Sequence, residues 1–434
     1  MSMSIIKTLI ARHKTIWLIF FAVITFLMVI LNVSSRYGQD NELMYFYMPP
    51  PFYQLDSESL VCDPILAIIN GKEIDQNTFG LGVLCKEDTS QTVFYTDLLV
   101  EDPNLNNDYI YEPYISQLGL QGFIFCGITR LFQNSIIIAI LRMLCAAIFS
   151  MVMLAIVIEL YRKYGLLYAI VFWGVSMLSN WICSFALNLY WVEFTWFIPM
   201  LLGLLCLNHA KLRKMCYFLF FISILFKCLC GFEYLSTIMV SGEVFLALEW
   251  FFNKEQRKPL FKCMLISGLC MLAGFIVAVI IMVCIYGQGD LFKGLNIFRY
   301  YLVERRTFGN SELYSNDYSE SLNASLISVV LRYTFEFITG TRIMVIFIAS
   351  LIVMLVDHVI FKHDRKPEFL LAMLQLIAAM SWFILAKSHS YIHININFVL
   401  YYMGFVQTIV YCLINTVIRR IKSDMVNKIQ NKLC

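Results

Sequence analysis

Long apolar runs separated by short polar connections make up most of the chain between residues 15 and 418. A helix needs about 20 mainly apolar residues to cross a bilayer. This criterion predicts about ten transmembrane helices, at 15–33, 135–158, 165–182, 191–208, 215–231, 234–252, 263–286, 341–360, 368–386 and 398–418. Runs such as 275–285 lack the apolar–polar alternation of membrane β-barrel strands. The predicted fold class is therefore all-α, a polytopic transmembrane helical bundle forming a single membrane domain over 1–434.

The composition supports the same class. Of the 434 residues, 60% are hydrophobic and 15% are charged, whereas soluble domains contain about 45–50% apolar and about 25% charged residues. The net charge of +3 provides no basic stripe, so we expect no nucleic-acid partner. Most of the fourteen cysteines lie in apolar runs, where cysteine behaves as a small hydrophobic residue. Cys62 and Cys85 lie in a polar stretch, either as free thiols or as a disulfide.

Lys and Arg residues predict the orientation, because they concentrate in cytoplasmic connections. With both termini in the cytoplasm, the inner segments hold 20 of the 33 Lys and Arg residues. We therefore expect a multi-pass protein of the plasma (inner) membrane. This orientation places two long segments outside, 34–133 and 287–340.

The first outer segment, 34–133, is acidic, with 14 Asp and Glu residues against 4 Lys and Arg. Near its end, 114–132 has the pattern of an amphipathic helix with Gln117 and Gln121 on its polar side. No connection separates this stretch from the next span, so we expect it to lie in the plane of the outer membrane surface.

Two charged residues lie inside predicted spans, where each costs about 2.5–3.5 kcal/mol to insert. They are Arg142 and Glu243. We expect them to pair with each other and to fix the bundle.

A second set of charged and polar residues lies at predicted outer helix ends or in outer loops. Lys227 and Glu233 flank a tight hairpin, and Arg305 and Arg306 lie in the second outer segment; Lys387, His389, His393 and Asn397 lie between the last two spans. Individually, such residues often contact lipid headgroups or backbone. Together they provide a group of cations at one membrane face.

An acidic pair, Asp40 and Glu42, lies directly after the first predicted span. In this placement the chain resembles the C-type integral-membrane glycosyltransferases (GT-C), such as protein O-mannosyltransferases and aminoarabinose transferases. These enzymes have a cytoplasmic N-terminus, one helix and then a long outer loop with in-plane helices, and an acidic pair opens that loop. The resemblance implies catalytic roles for Asp40 and Glu42, one of them as the base. It also implies a polyprenyl-phosphate-linked sugar as donor, with a glycan, a lipid or a protein as acceptor.

The residues between the last two spans suit the donor's phosphate. If the last span begins one turn early, His389, His393 and Asn397 share one helix face at four-residue spacing. Lys387 would add a permanent charge, and each imidazole a hydrogen-bond donor. Two alternatives stay open: a metal site completed by the acidic loop, and a cluster that binds only backbone and headgroups.

Three functions fit these observations. The first is glycosyl transfer from a polyprenyl-phosphate carrier, with membrane lipid as partner and Asp40 and Glu42 available for a divalent metal. The second is a lipid-linked glycan polymerase or ligase centred on Arg305 and Arg306. The third is a lipid-glycan flippase or transporter, although such proteins show internal repeats and ionisable residues at the bilayer midplane.

The orientation makes a direct prediction. An impermeant thiol reagent applied from outside should label single cysteines introduced in 55–110 and 310–320 and spare those in 254–262. Outside labelling at position 257 would contradict this orientation. Asp40 and Glu42 would then face the cytoplasm.

Overall fold

The computed structural model describes residues 14–31, 56–76, 78–87, 92–93, 98, 102, 104–134, 136–313 and 316–433, and most of these residues are helical. The acidic pair Asp40 and Glu42 lies outside the described residues. In chain order the elements are α1 Lys14–Leu31, α2 Asp56–Ile69, β1 Gly82–Lys86, β2 Thr92–Val93, β3 Tyr109–Pro113, α3 Leu120–Phe132, α4 Ile137–Tyr164, α5 Leu166–Met177, α6 Asn180–Leu187, α7 Phe194–Asn208, α8 Arg213–Cys230, α9 Leu235–Phe252, α10 Arg257–Gly287, α11 Leu291–Arg299, α12 Asn316–Asn323, α13 Leu326–Leu331, α14 Ile338–Phe361, α15 Lys366–Leu385, α16 Lys387–Ile392, α17 Ile394–Asn397 and α18 Phe405–Leu433. Tyr300–Phe308 and Arg332–Glu336 are π-helical, and Ala210–Leu212, Ser311–Leu313 and Phe398–Tyr402 form 3₁₀ turns.

The all-α class is confirmed, and helices occupy all ten stretches predicted as spans. Among the described residues, five helices are long and apolar enough to cross a membrane: α4, α9, α10, α14 and α15. The pair α5 and α6 adds a sixth if it is taken as one bent span. The other stretches hold shorter or more polar helices, such as α7 with 15 residues and α8, which carries Arg213, Lys214 and Lys227.

Two predicted spans are interrupted. The stretch 165–182 is not one helix, because α5 ends at Met177 and α6 leaves at 67°. The Ser179 side chain accepts a hydrogen bond from the Ile182 backbone nitrogen at 3.3 Å and so starts a new helix. The stretch 398–418 begins as a 3₁₀ turn and continues as α18 only after Gly404, whose φ of 126° favours glycine.

The first of the two predicted outer segments contains a small antiparallel sheet that the sequence pattern did not predict. Its strand order is β2-β1-β3, with Leu84 opposite Val93 on one side and Tyr111 on the other. The sheet packs on α2, where the Asp63 carboxylate accepts a hydrogen bond from the Leu84 backbone nitrogen at 3.1 Å. Cys62 and Cys85 are buried free thiols, the first of the two alternatives.

The predicted pair of Arg142 and Glu243 does not form. Arg142 instead makes a two-pronged pair with Glu58 of α2, with its Nη2 2.6 Å and its Nε 3.0 Å from the carboxylate oxygens. Glu243 accepts a hydrogen bond from the Ser267 hydroxyl at 2.6 Å. The Glu58 carboxylate also accepts the Leu189 backbone N–H at 3.1 Å, so it joins the outer segment, α4 and the connection between α6 and α7.

Since the Glu58 carboxylate is fully buried and its partner is 12% exposed, removing one partner leaves a buried unpaired charge. We expect Arg142→Gln to destabilise the folded protein by about 3–5 kcal/mol, measured as unfolding of the detergent-purified chain. The double variant Glu58→Gln with Arg142→Gln should lose less unfolding free energy than the sum of the losses in the two single variants. Additive effects would contradict a direct pair.

Candidate functional site

A cavity of about 220 Å³ lies at the end of the bundle where α8 ends and α7 and α9 begin. Four stretches that are distant in sequence supply most of its polar wall: the connection before α7, the hairpin before α9, the π-helical Tyr300–Phe308, and α16 with His393 after it. Its lining residues are Ser57, Leu60, Tyr114, Tyr190, Trp191, Glu233, Arg305, Arg306, His389, Ile392, His393 and Ile396. We call it the arginine cavity. It brings together Glu233, Arg305, Arg306, His389 and His393 from the predicted site residues.

A buried ion pair forms the polar centre of this cavity. The Arg306 Nη2 lies 3.2 Å from the Glu233 carboxylate, and the two side chains are 9% and 5% exposed. Gln117 adds to the pair: its amide nitrogen donates to the Glu233 carboxylate oxygens at 3.1 and 3.2 Å, and its carbonyl oxygen accepts the Tyr190 hydroxyl at 2.8 Å. These contacts hold the Glu233 carboxylate in place and orient the Arg306 guanidinium.

Arg306 keeps unused hydrogen-bonding capacity. Its Nη1 is buried and has no hydrogen-bond partner among the described residues. A buried donor without a partner costs about 1–3 kcal/mol. Arg305 lines the same cavity, so the described lining residues include two guanidinium groups against one carboxylate, a net positive charge. An anionic ligand would supply the missing acceptor.

The two histidines lie side by side, with ring centroids 4.4 Å apart. The Nδ1 of His389 is buried and has no partner among the described residues. Desolvation, followed by the positive charges of the second imidazole and of the arginines, lowers the pKa of His389 well below its ordinary value. Part of His393 is open to the cavity, while burial of its ring among protein atoms, followed by the charge of Arg306, lowers its pKa to about 4. Both rings are therefore neutral at pH 7 and available as hydrogen-bond donors.

Lys387 and Asn397 do not join the arginine cavity. The Lys387 ammonium donates to the backbone carbonyls of Leu322 and Ala324 at 2.9 and 2.7 Å, so it caps the end of α12. Asn397 is buried, and its amide donates to the Tyr333 hydroxyl at 2.9 Å. The predicted shared helix face is wrong, because α16 ends at Ile392 and His393 has non-helical backbone angles.

Gln121 and Lys227 lie behind the cavity wall and position its backbone. The Gln121 amide donates to the Tyr190 carbonyl oxygen at 2.9 Å. The Lys227 ammonium donates to the Gly231 carbonyl oxygen at 2.7 Å and so holds the hairpin that carries Glu233. Gln117 and Gln121, predicted on the polar side of an in-plane helix, are both buried and pack against the bundle.

Tyr190 and Trp191 form an aromatic wall on a strained connection. The next residue, Val192, has φ of 41°, and Tyr234 on the facing hairpin has φ of 63°; both values are unusual for such side chains. The Trp191 ring stacks on Tyr234 at 5.4 Å with 9° between the planes. The Trp191 indole N–H donates to the Ser57 hydroxyl at 3.1 Å. Sequence reasoning missed the α2 side of the cavity, because no local pattern brings Ser57 and Leu60 to this place.

A second, apolar cavity of about 170 Å³ shares Arg306 with the arginine cavity. Its other walls include Phe232, Leu235, Phe275, Leu302, Trp382 and Leu385. Phe275 lies twelve residues before the end of α10, which is about 18 Å along the helix. The apolar cavity therefore lies on the bundle side of Arg306.

The metal alternative joins His389 and His393 to a third ligand from the acidic segment; Asp40 and Glu42 of that segment lie outside the described residues. Among the side chains that the structure does describe, no three His, Cys, Asp or Glu groups form an arrangement able to hold a metal ion.

No family model, curated protein or solved structure matches this chain.

The low pKa of His393 gives a measurable prediction. NMR of histidine-labelled protein should show one imidazole titrating near pH 4 instead of about 6.5. The unfolded chain takes up this proton near pH 6.5, so this group destabilises the folded state as the pH falls from 6.5 towards 4. Arg306→Gln should raise the pKa, and the exposed Arg299→Gln should leave it unchanged. Titration of His393 at 6.5 or above would contradict the assignment.

Proposed function

We propose that this protein is a membrane glycosyltransferase of the GT-C type. It transfers a sugar from a polyprenyl-phosphate carrier to a glycan, lipid or protein of the cell envelope. The observation that carries the proposal is the arginine cavity, where Arg305, Arg306 and two neutral histidines converge beside an apolar cavity that shares Arg306.

The arginine cavity suits the phosphate of the donor. The planar guanidinium fork matches the geometry of phosphate oxygens, and the unpartnered Nη1 of Arg306 requires an acceptor. His389 and His393 add neutral donors that do not depend on protonation. The tyrosine and tryptophan rings of the wall, Tyr190 and Trp191, offer flat apolar faces for a sugar ring.

The apolar cavity suits the first isoprene units of the carrier. Phe232, Phe275 and Trp382 line it, and Phe275 lies about 18 Å from the end of α10. A lipid chain leaving the phosphate at Arg306 would enter this space and then the bilayer.

The transfer is a nucleophilic displacement at the sugar's anomeric carbon. The acceptor hydroxyl oxygen forms a bond to this carbon while the bond between the carbon and the phosphate oxygen breaks. The electron pair leaves with the lipid phosphate, whose growing charge Arg305 and Arg306 stabilise. Asp40 or Glu42, by the resemblance, accepts the hydroxyl proton. The lipid phosphate is already a good leaving group and requires no general acid.

The proposal includes about ten spans, with both termini in the cytoplasm and the arginine cavity facing outwards. Its wall comes from connections at one bundle end, around residues 190, 233, 306 and 389. The basic clusters at 162–163, 211–214, 254–262 and 362–366 lie in the connections at the opposite helix ends. This distribution agrees with the rule that positive charges stay inside.

A glycan polymerase or ligase is the second candidate, favoured by the placement of both Arg305 and Arg306 at the cavity. Such an enzyme takes a lipid-diphosphate donor and does not need Asp40. A diphosphate product would distinguish it from the monophosphate product of the first candidate.

Arg306→Gln tests the proposed function. Removing one donor that stabilises transition-state charge should reduce transfer from a polyprenyl-phosphate sugar by about 10²–10³-fold. Arg306→Lys keeps the charge but loses the planar fork, so its transfer rate should lie between those of the parent and of Arg306→Gln. Arg299→Gln is the matched control, because Arg299 is 67% exposed and pairs with Glu304 at 2.8 Å.

Transfer is measured as release of the free lipid phosphate by the purified chain, with thermal unfolding measured in parallel. Turnover of Arg306→Gln at the parent rate would contradict the proposal.

A further inference from the structure

A third cavity, of about 240 Å³, lies between residues 75–79, the end of β3 and the end of α10. Its lining includes Asp75, Thr78, Phe79, Ile115, Tyr286 and Gln288. None of its lining residues among those described is Lys, Arg or His. The cavity is thus chemically unlike the arginine cavity, and it has no cation for a phosphate.

One wall holds two aromatic rings, Phe79 and Tyr286. Phe79 and Tyr286 have ring centroids 6.0 Å apart, and Tyr286 stacks on Tyr301 at 5.9 Å with 27° between the planes. The Tyr286 hydroxyl donates to the Ile115 carbonyl oxygen at 2.6 Å, and the residue is 7% exposed. This hydrogen bond fixes the ring before any ligand arrives.

The rim of the cavity is polar. Asp75, Thr78 and Gln288 are exposed there and present a carboxylate, a hydroxyl and an amide. A sugar ring has an apolar face of C–H groups and an edge of hydroxyl groups. Flat aromatic walls with a few convergent polar groups at the rim suit such a ring.

The third cavity lies next to the arginine cavity. Tyr114 lines the arginine cavity, and its chain neighbours Pro113 and Ile115 line the third cavity. Consecutive Cα atoms are about 3.8 Å apart, so one backbone segment separates the two spaces. A glycan with one sugar ring in the third cavity could extend its next ring past Tyr114 into the arginine cavity.

We infer that the third cavity binds one neutral sugar unit of a glycan acceptor. This inference rests on the proposed function, because it assigns the acceptor for the same reaction. It selects a glycan among the three acceptor classes. A peptide would instead use the backbone of β3, which is an edge strand of the described sheet.

The test uses saturation-transfer NMR on the full detergent-purified chain without donor. The probes are the methyl glycosides of glucose, galactose, mannose, rhamnose and N-acetylglucosamine, with the peptide Ala-Ser-Ala as comparison. At least one glycoside should bind the parent and Ile110→Ala equally; Ile110 is an exposed apolar residue of β3 outside the cavity lining.

Phe79→Ala should weaken that binding about fivefold or more, because it removes an aromatic face. Gln288→Gly should also weaken it; this variant keeps the fold, since Gln288 has φ of 49° and glycine adopts such angles readily. Binding that survives both changes, or binding of Ala-Ser-Ala in place of every glycoside, would overturn the inference.

The two proposals fail separately. If donor is consumed but no glycoside binds, the acceptor site is wrong and the glycosyltransferase stands. If a glycoside binds at Phe79 but no lipid-linked sugar is consumed by the parent, the glycosyltransferase is wrong and the acceptor role falls with it.

Discussion

The buried carboxylate of Glu58 is the contact on which the candidate site depends. It is bound at once by the Arg142 guanidinium of α4 and by the Leu189 backbone before α7. A buried charge is tolerated only when it is paired and hydrogen-bonded, so these three elements must meet at one point. These contacts place α2 beside Tyr190 and Trp191, and α2 thereby closes one side of the arginine cavity.

A second buried charge pair gives that cavity its chemistry. Glu233 and Gln117 hold the Arg306 guanidinium from one side and leave Nη1 without a partner among the described residues. The protein thus bears the cost of desolvating an arginine whose hydrogen bonds are incomplete. Such an arrangement is typical of binding sites, in which the ligand completes the network. The neutral state of His389 and His393 follows from the same desolvation and from the same positive charge.

Much of this arrangement was readable from the sequence. Apolar runs predicted the helices, and placement at predicted outer helix ends or in an outer loop singled out Glu233, Arg306 and the two histidines. The partner of Arg142 was not predictable, because Glu58 lies 84 positions away in the sequence. The pattern around Glu58 shows only that this segment is acidic. Lys387 was misplaced for a related reason: its charge is used by the backbone carbonyls of Leu322 and Ala324, which no composition reveals. The bend at Ser179 was missed because its side-chain hydrogen bond starts a new helix inside an apolar run that is long enough for one span. The small sheet was missed because its strands pair across residues that are distant in the sequence.

The central claim is that the arginine cavity holds the phosphate of a lipid-linked donor. The most direct test is an electron cryomicroscopy map of the full chain with a non-hydrolysable phosphonate analogue of a polyprenyl-phosphate sugar. The account predicts phosphonate density within hydrogen-bonding distance of the Arg306 guanidinium, with the prenyl chain passing between Phe275 and Trp382. Density for the phosphonate at another place on the protein, with the arginine cavity free of it, would contradict the account.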